Sequence, residues 1–183
     1  MSTPGTDRPS ASPSRRVAII GCGGWGTALA VLLSTRGYNI TVWGVEPAYV
    51  EKMQRTRLNP VYLPGVTIPA TVALTSDMGR CVPDSEIVIV ATPTLYMRRV
   101  CEQLAPHLRP GHLLVNVAKG IEEGTLLTGS QIIADVCGPQ VGIAGLYGPS
   151  HAEEVARGMP ATVVATSRRQ ELARQVQEAF MCA

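Results

Sequence analysis

"AIIGCGGWGTALA" (Ala18 to Ala30) joins an apolar run to four closely spaced glycines and then to a helical pattern. Glycine loses more conformational freedom on ordering than any other residue, so this concentration needs a reason that only a missing side chain supplies. The run before the glycines, "RRVAIIG" (Arg15 to Gly21), is short and continuously apolar, as a strand buried on both faces should be. From Trp25 onward Ala28, Leu29, Leu32 and Leu33 recur at helical spacing, and Gly37 stops the helix. "NITVWG" follows as a second strand rich in β-branched residues. The unit is therefore strand, glycine turn, helix, strand. Within it Gly21, Gly23 and Gly26 stand in G-x-G-x-x-G register, with Gly24 and Trp25 between them. Gly21 allows the tight turn, Gly23 lets a pyrophosphate approach the backbone, and Gly26 lets helix and strand pack closely. The helix start offers free N–H groups to the anion. A tight turn without a ligand is the plain alternative, and the strand-to-helix context argues against it.

The alternation continues along the chain. Pro47 to Thr56 reads as a helix with proline in its first position. "LNPVYLPGVTIP" is too proline-rich for either periodic element, and "ATVALT" is a weak strand. "EIVIVATP" (Glu86 to Pro93) is the strongest strand, followed by a helix from Leu95 to Leu108 broken near Pro106. "HLLVNVAKG" is a further strand, Thr125 to Cys137 a helix, and "VGIAGLYGPS" a strand running into a glycine turn. A short helix from Ala152 to Arg157, the strand "ATVVAT" and a last helix complete the pattern, with Ser167 and Gln170 spaced as a capping box. Strands alternating with helices predict an α/β fold, a doubly wound parallel sheet of Rossmann type with helices on both faces.

Composition narrows the function classes. The 183 residues are 45% apolar and 16% charged, enough for one domain with a sizeable core. Net charge is +2, and no basic run exceeds a pair, which argues against a nucleic-acid footprint; aromatics, at 4%, leave little for bases to stack on. The five cysteines have no C-x-x-C spacing and read as reduced, small apolar residues of a cytoplasmic protein, with no metal site expected. Residues 1–14 hold three prolines and four serines without an apolar run; they read as a disordered tail ahead of a dinucleotide-binding domain at 15–183. No stretch approaches the twenty apolar residues of a membrane span.

Ligands of open parallel sheets sit beyond the carboxyl ends of the strands. Val45 and Glu46 follow the second strand, and Thr92-Pro93-Thr94 with Tyr96 follow the "EIVIV" strand. Lys119-Gly120 and Gly148-Pro149-Ser150 end the next two. Lys119 is the one cation directly at a strand end; a solvated surface lysine is the ordinary alternative, less ordinary inside "VNVAKGI". On spacing alone Tyr96 fits the core better than a site.

"GCGGWGTALA", "LNPVYLPG", "VAKGIE" and "GPSHAEEVARGMPA" occur in this order and at suitable distances. Together they resemble the bacterial NAD(P)-dependent glycerol-3-phosphate dehydrogenases, from Arg16 to Phe180. The resemblance implies an oxidoreductase interconverting dihydroxyacetone phosphate and sn-glycerol 3-phosphate with NAD or NADP as cofactor, on the way to phospholipids. It implies cofactor contacts at Gly24, Trp25, Val45, Lys119 and Ala152, and a small phosphorylated substrate at Lys119, Gly148 and Ser150; the motif glycines Gly21, Gly23 and Gly26 and the strand-end residues Glu46 and Tyr96 join them as candidate cofactor contacts. Gly24 departs from the serine or asparagine usual in the family. The family also carries a second, helical domain with the general-base lysine and much of the substrate phosphate site. This chain is expected to be the cofactor-binding half, with no catalytic residue of its own; a homodimer is one arrangement open to the longer protein. A dehydrogenase of the 3-hydroxyacid or 6-phosphogluconate type, or a dinucleotide-binding module without catalysis, are the alternatives.

Cofactor choice rests on the second strand's end. Sites for NADP usually place arginine there, whereas "WGVE" has none. Glu46 lies where a carboxylate accepts a hydrogen bond from the free ribose 2′-hydroxyl of NAD, although a helix start also favours an acid at that position. The expectation is that NADH binds at least as tightly as NADPH, unless Arg36 or another arginine reaches the site.

Overall fold

The computed structural model describes residues 15–181. The proposed tail at residues 1–14, and Cys182, lie outside them. The first unit is as expected: β1 (Arg16–Ile20), α1 (Gly24–Thr35) and β2 (Asn39–Trp43), followed by α2 (Pro47–Thr56). Next come β3 (Leu58–Asn59), β4 (Leu63–Thr67), β5 (Ala73–Thr75) and the single-turn α3 (Met78–Cys81). The second half contains β6 (Ile87–Val90), α4 (Thr94–Leu104), β7 (Leu113–Asn116), α5 (Gly129–Cys137) and β8 (Gly142–Tyr147). It ends with α6 (Ala152–Ala156), β9 (Val164–Thr166) and α7 (Gln170–Phe180).

Seven strands form one sheet in the order β5-β2-β1-β6-β7-β8-β9. The strand order reverses between β1 and β6, and this switch point is where an open α/β sheet leaves a crevice beyond its strand ends. Alternate residues of each central strand face opposite layers. Val17, Ile19, Ile87 and Ile89 pack under α1, α2 and α7, with Leu29, Leu33, Val50, Met53, Val176 and Phe180. Ala18, Ile20, Val88 and Val90 pack on the other side with Met97, Cys101 and Leu104 of α4 and Ile132 and Ile133 of α5. Both faces of these strands are thus covered, the physical reason their sequences run apolar without alternation.

Four expectations need correction. The sheet is not wholly parallel, because β9 pairs antiparallel with β8, Val164 opposite Tyr147. The β8–β9 connection stays at the carboxyl end of the sheet, where α6 packs on α1, so the chain re-enters the sheet from the end it left. The proline-rich "LNPVYLPGVTIP" is a short antiparallel hairpin, β3 with β4, in which Leu58 pairs with Thr67 and Asn59 with Leu63. α5 begins at Gly129 rather than Thr125: Leu126 takes a left-handed conformation (φ 60°), and residues 121–128 close on themselves through an Ile121–Thr128 bridge. The capping box sits there, between Thr128 and Gln131. Ser167 instead donates to the Ile143 carbonyl at 2.6 Å, and α7 starts without a side-chain cap.

Candidate functional site

A cleft of about 880 Å³ opens at the carboxyl ends of the central strands. Gly21, Gly23, Gly24 and Trp25 form one part of its wall; Val45, Tyr62, Thr92 and Thr94 also line it, as do Lys119, Gly148, Ser150, His151 and Ala152. Ten of the sequence-selected residues therefore meet in one place: Gly21, Gly23, Gly24, Trp25, Val45, Tyr96, Lys119, Gly148, Ser150 and Ala152. Gly26 and Glu46 are not part of its lining.

The glycines divide the work as their spacing implies. Gly21 adopts φ 123°, and a Cβ there would come within 2.7 Å of the Ala91 carbonyl oxygen of the neighbouring strand end. Gly26 is buried beneath the loop, where a Cβ would collide with the Gly21 carbonyl. Gly23 is different: it is the N-cap of α1 with φ −67° and ψ −178°, a conformation open to any residue, and a Cβ on it would meet nothing within 4 Å. Its lack of a side chain serves the space above it. Gly24 has no room for a Cβ because the Tyr62 carbonyl of the hairpin crowds it. The serine or asparagine expected from the family would require that hairpin to stand further off.

No side chain caps α1, so the first-turn amides are left for another acceptor. Its twelve residues direct the positive end of the helix dipole at the cleft. An open cradle over Gly23, an uncapped helix start and a backbone free of acidic residues in the first turn fit a pyrophosphate.

The hairpin holds this loop through a side chain that the sequence reading left unassigned. Asn59 is fully buried. Its Nδ2 donates to the Cys22 carbonyl at 2.9 Å and to Thr27 Oγ1 at 2.7 Å. Its Oδ1 accepts from the Tyr49 hydroxyl at 2.6 Å and from the Tyr62 N–H at 3.2 Å. Nothing in a local periodicity marks such a residue; an asparagine inside "LNPVYLPG" reads as turn chemistry.

At the second strand's end Val45 is exposed and lines the cleft, while Glu46 is the N-cap of α2 and makes no side-chain bond to that helix. Burial raises the Cys22 thiol pKa, and the nearby Glu46 carboxylate adds to the rise. Arg36 does not reach the site. It caps the far end of α1 and donates to the Glu178 carbonyl at 3.1 Å.

Tyr96 is not core. It is 57% exposed and stands with Arg99, Val100 and Gln103 on the cleft side of α4, whose buried stripe is Met97, Val100, Cys101 and Leu104. Arg99 is a cation the sequence reading missed; its only signal was the Arg98-Arg99 pair, whose members turn to different tasks. Arg98 makes a two-pronged bond to Glu122 (2.9 and 2.8 Å) and a third bond to Asp135 (2.7 Å). The guanidinium, with help from the Thr125 hydroxyl, holds the Glu122 carboxyl below the usual carboxylate range. One turn earlier Thr94 Oγ1 donates to the Lys119 carbonyl at 3.0 Å. α4 thus grips both ends of the Lys119–Glu122 segment, and the Lys119 side chain stays exposed at the cleft.

Among the described residues no group of histidine, cysteine, aspartate and glutamate could hold a metal ion, and no helix is long and apolar enough to cross a membrane. The four described cysteines are free thiols; burial pushes the one at Cys81 up to about 12.

Comparison with known proteins agrees with this geometry. Residues 16–173 match the family described as NAD-dependent glycerol-3-phosphate dehydrogenase N-terminus. A glycerol-3-phosphate dehydrogenase [NAD(P)+] of Salinibacter ruber is 44% identical over 92% of this chain and 49% of its own length. One from Geobacter metallireducens is 42% identical over 90% of this chain and 50% of its own. The chain therefore spans about half the length of the curated relatives it matches. The crystal structure of the Coxiella burnetii glycerol-3-phosphate dehydrogenase superposes with a TM-score of 0.87 at 28% identity, over 93% of this chain and 52% of that one. A Pseudomonas aeruginosa GDP-mannose dehydrogenase shares the fold at a TM-score of 0.73 and 18% identity. With glycine loop, hairpin and Lys119 segment assembled around one cleft and the match running through all three, the chain belongs to the family of NAD-dependent glycerol-3-phosphate dehydrogenase N-terminal domains.

Proposed function

We propose that this chain is the dinucleotide-binding part of an enzyme that interconverts dihydroxyacetone phosphate and sn-glycerol 3-phosphate with NAD or NADP. The observation that carries the reading is the open space over Gly23 at the uncapped start of α1, inside a cleft that also presents Lys119. The amides of Gly24 and Trp25 would hold the pyrophosphate, and Val45 and Glu46 would border the adenosine ribose. When bound, the nicotinamide supplies or accepts the hydride.

Lys119 would act as a compact positive charge for the anionic substrate, and Gly148 and Ser150 would border the same substrate. Ala152 and Tyr96 would flank the cofactor. Because the relatives are about twice as long, the general base and the remaining substrate contacts belong, in this reading, to the part of the protein beyond this half. The protein would be cytoplasmic, and neither nucleic acid nor membrane enters its work.

Titration of the purified chain with NADH, followed by fluorescence, tests the reading. Saturable binding is expected, with little or no turnover of dihydroxyacetone phosphate by this chain alone. Absence of binding would overturn it. Near-normal turnover would show that the chemistry needs nothing beyond this half.

A further inference from the structure

Asn59 uses its whole hydrogen-bonding capacity: two N–H donors and two acceptor sites, all four engaged, with no exposure to water. Its partners come from four places, namely the glycine loop, α1, α2 and its own hairpin. One of these bonds bears on the cleft. Asn59 Nδ2 holds the Cys22 carbonyl inward, and Thr27 Oγ1 donates to the same oxygen at 3.3 Å. The Cys22–Gly23 peptide is trans, since no cis peptide occurs among the described residues. In a trans peptide the C=O and the following N–H point in nearly opposite directions.

We infer that Asn59 is a positioning residue of the nucleotide cradle: by fixing the Cys22 carbonyl inward it turns the Gly23 N–H outward, toward the place where a pyrophosphate would lie. The inference rests on the dinucleotide reading for its ligand, though not for the geometry of the peptide. With glycine at 23 the positive φ that a turned Cys22–Gly23 peptide requires carries no Cβ penalty. That orientation would present a carbonyl oxygen to the anion in place of a donor. A buried amide bonded to the carbonyl selects against it without putting any side chain in the cleft. Tyr49 has a different part: its hydroxyl donates to the Asn59 amide oxygen and accepts from the Val61 N–H at 3.3 Å, so it orients the amide from the acceptor side and supplies no hydrogen bond to the Cys22 carbonyl.

This separates peptide orientation from general stability. Asn59→Asp keeps the side-chain volume and replaces the donor facing Cys22 by an acceptor. Tyr49→Phe leaves that donor in place. Dissociation constants for NADH, and for ADP by competition, are compared with those for adenosine, which lacks phosphate. Asn59→Asp is expected to weaken NADH and ADP at least about tenfold, about 1.4 kcal/mol, and adenosine less than about twofold. Tyr49→Phe should stay within about twofold of wild type for all three. Equal losses for the three ligands, an equal loss in Tyr49→Phe, or an unchanged NADH affinity in Asn59→Asp would overturn the inference. Should Asn59→Asp lack a cooperative melt, Thr27→Val removes the second donor to the Cys22 carbonyl and bears the same test, with about a threefold loss expected. If wild type binds neither NADH nor ADP, the dinucleotide reading fails. Ligand-free crystal structures of wild type and Asn59→Asp then decide the present point: a turned Cys22–Gly23 peptide in the variant supports it and an unturned one overturns it.

Discussion

The glycine loop and the Lys119 segment border one cleft and are held by opposite means. The loop is fixed by backbone contacts and a buried, uncharged amide: Gly26 under the Gly21 carbonyl, Asn59 on the Cys22 carbonyl. The Lys119 segment is fixed by a partly exposed ionic cluster, Arg98 with Glu122 and Asp135, and by the Thr94 hydroxyl. The first offers an anion the dipole of a helix start, built into the chain's conformation. The second offers a mobile ammonium whose support weakens with salt and acid. In the function proposed above, a rigid cradle for the dinucleotide would thus be joined to an adjustable charge for the phosphorylated substrate.

The comparison breaks most visibly at Gly23. Gly23→Val should abolish detectable NADH binding, a loss of at least about a hundredfold or about 2.7 kcal/mol. The circular dichroism spectrum and melt should stay near wild type, because position 23 has ordinary backbone angles and its Cβ would meet nothing. Unchanged affinity would mean the glycines serve packing only. The contrasting Gly26→Ala should instead lower stability by about 1–3 kcal/mol, since its Cβ is driven into the Gly21 carbonyl.

On the adjustable side, when this half is joined to a second half like that of its relatives, Lys119→Ala should lower kcat/KM about thirtyfold, about 2 kcal/mol, with little change in melting temperature because the side chain is exposed. Lys119→Arg should recover only part of this, a planar fork being a poor substitute for a compact ammonium. Wild-type kinetics in Lys119→Ala would return this residue to an ordinary surface role.

A smaller effect is expected at the second strand's end. NADH should bind about tenfold more tightly than NADPH, about 1.4 kcal/mol, and Glu46→Gln should narrow the ratio. Arg36 is occupied at the other end of α1, which strengthens this expectation. Tighter binding of NADPH by wild type would defeat it, and an unchanged ratio in the variant would remove Glu46 from the account.

The smallest effect sharpens the contrast in pH. Glu122 has its carboxyl pKa lowered in the folded chain by Arg98 and then Thr125. Its contribution to stability is therefore present above the unfolded carboxylate value of about 4.3 and is lost as pH falls through the lower folded value. Melting curves between neutral and acid pH should show a shallower acid limb in Glu122→Gln than in wild type. High salt should reduce the difference at neutral pH. If the two acid limbs coincide, the cluster is not what holds this segment.

Much of the fold was legible because its signals are local. A buried parallel strand must be apolar at consecutive positions, as in Val17 to Ile20 and Ile87 to Val90, and a phosphate-binding turn needs glycine where a Cβ would meet backbone. The misreadings were of elements whose state depends on distant partners. β3 and β4 are too short to show a period and exist through each other; β9 reverses because of where α6 packs. Tyr96 is ambiguous on spacing alone, which favours core over a site, and α4 turns it to the cleft.

By itself the sequence determined the βαβ unit, the glycine turn and the set of strand-end residues, since each follows from chain stereochemistry and burial over a few neighbours. Only the tertiary structure decided which of those residues meet, that Arg98 is spent on Glu122 and Asp135 while Arg99 faces the cleft, and that Asn59 stands behind Cys22. A hydrogen bond across 37 residues leaves no periodic trace. Its cost if broken, an orphaned polar group in a dry interior, appears only once packing has excluded water from both partners.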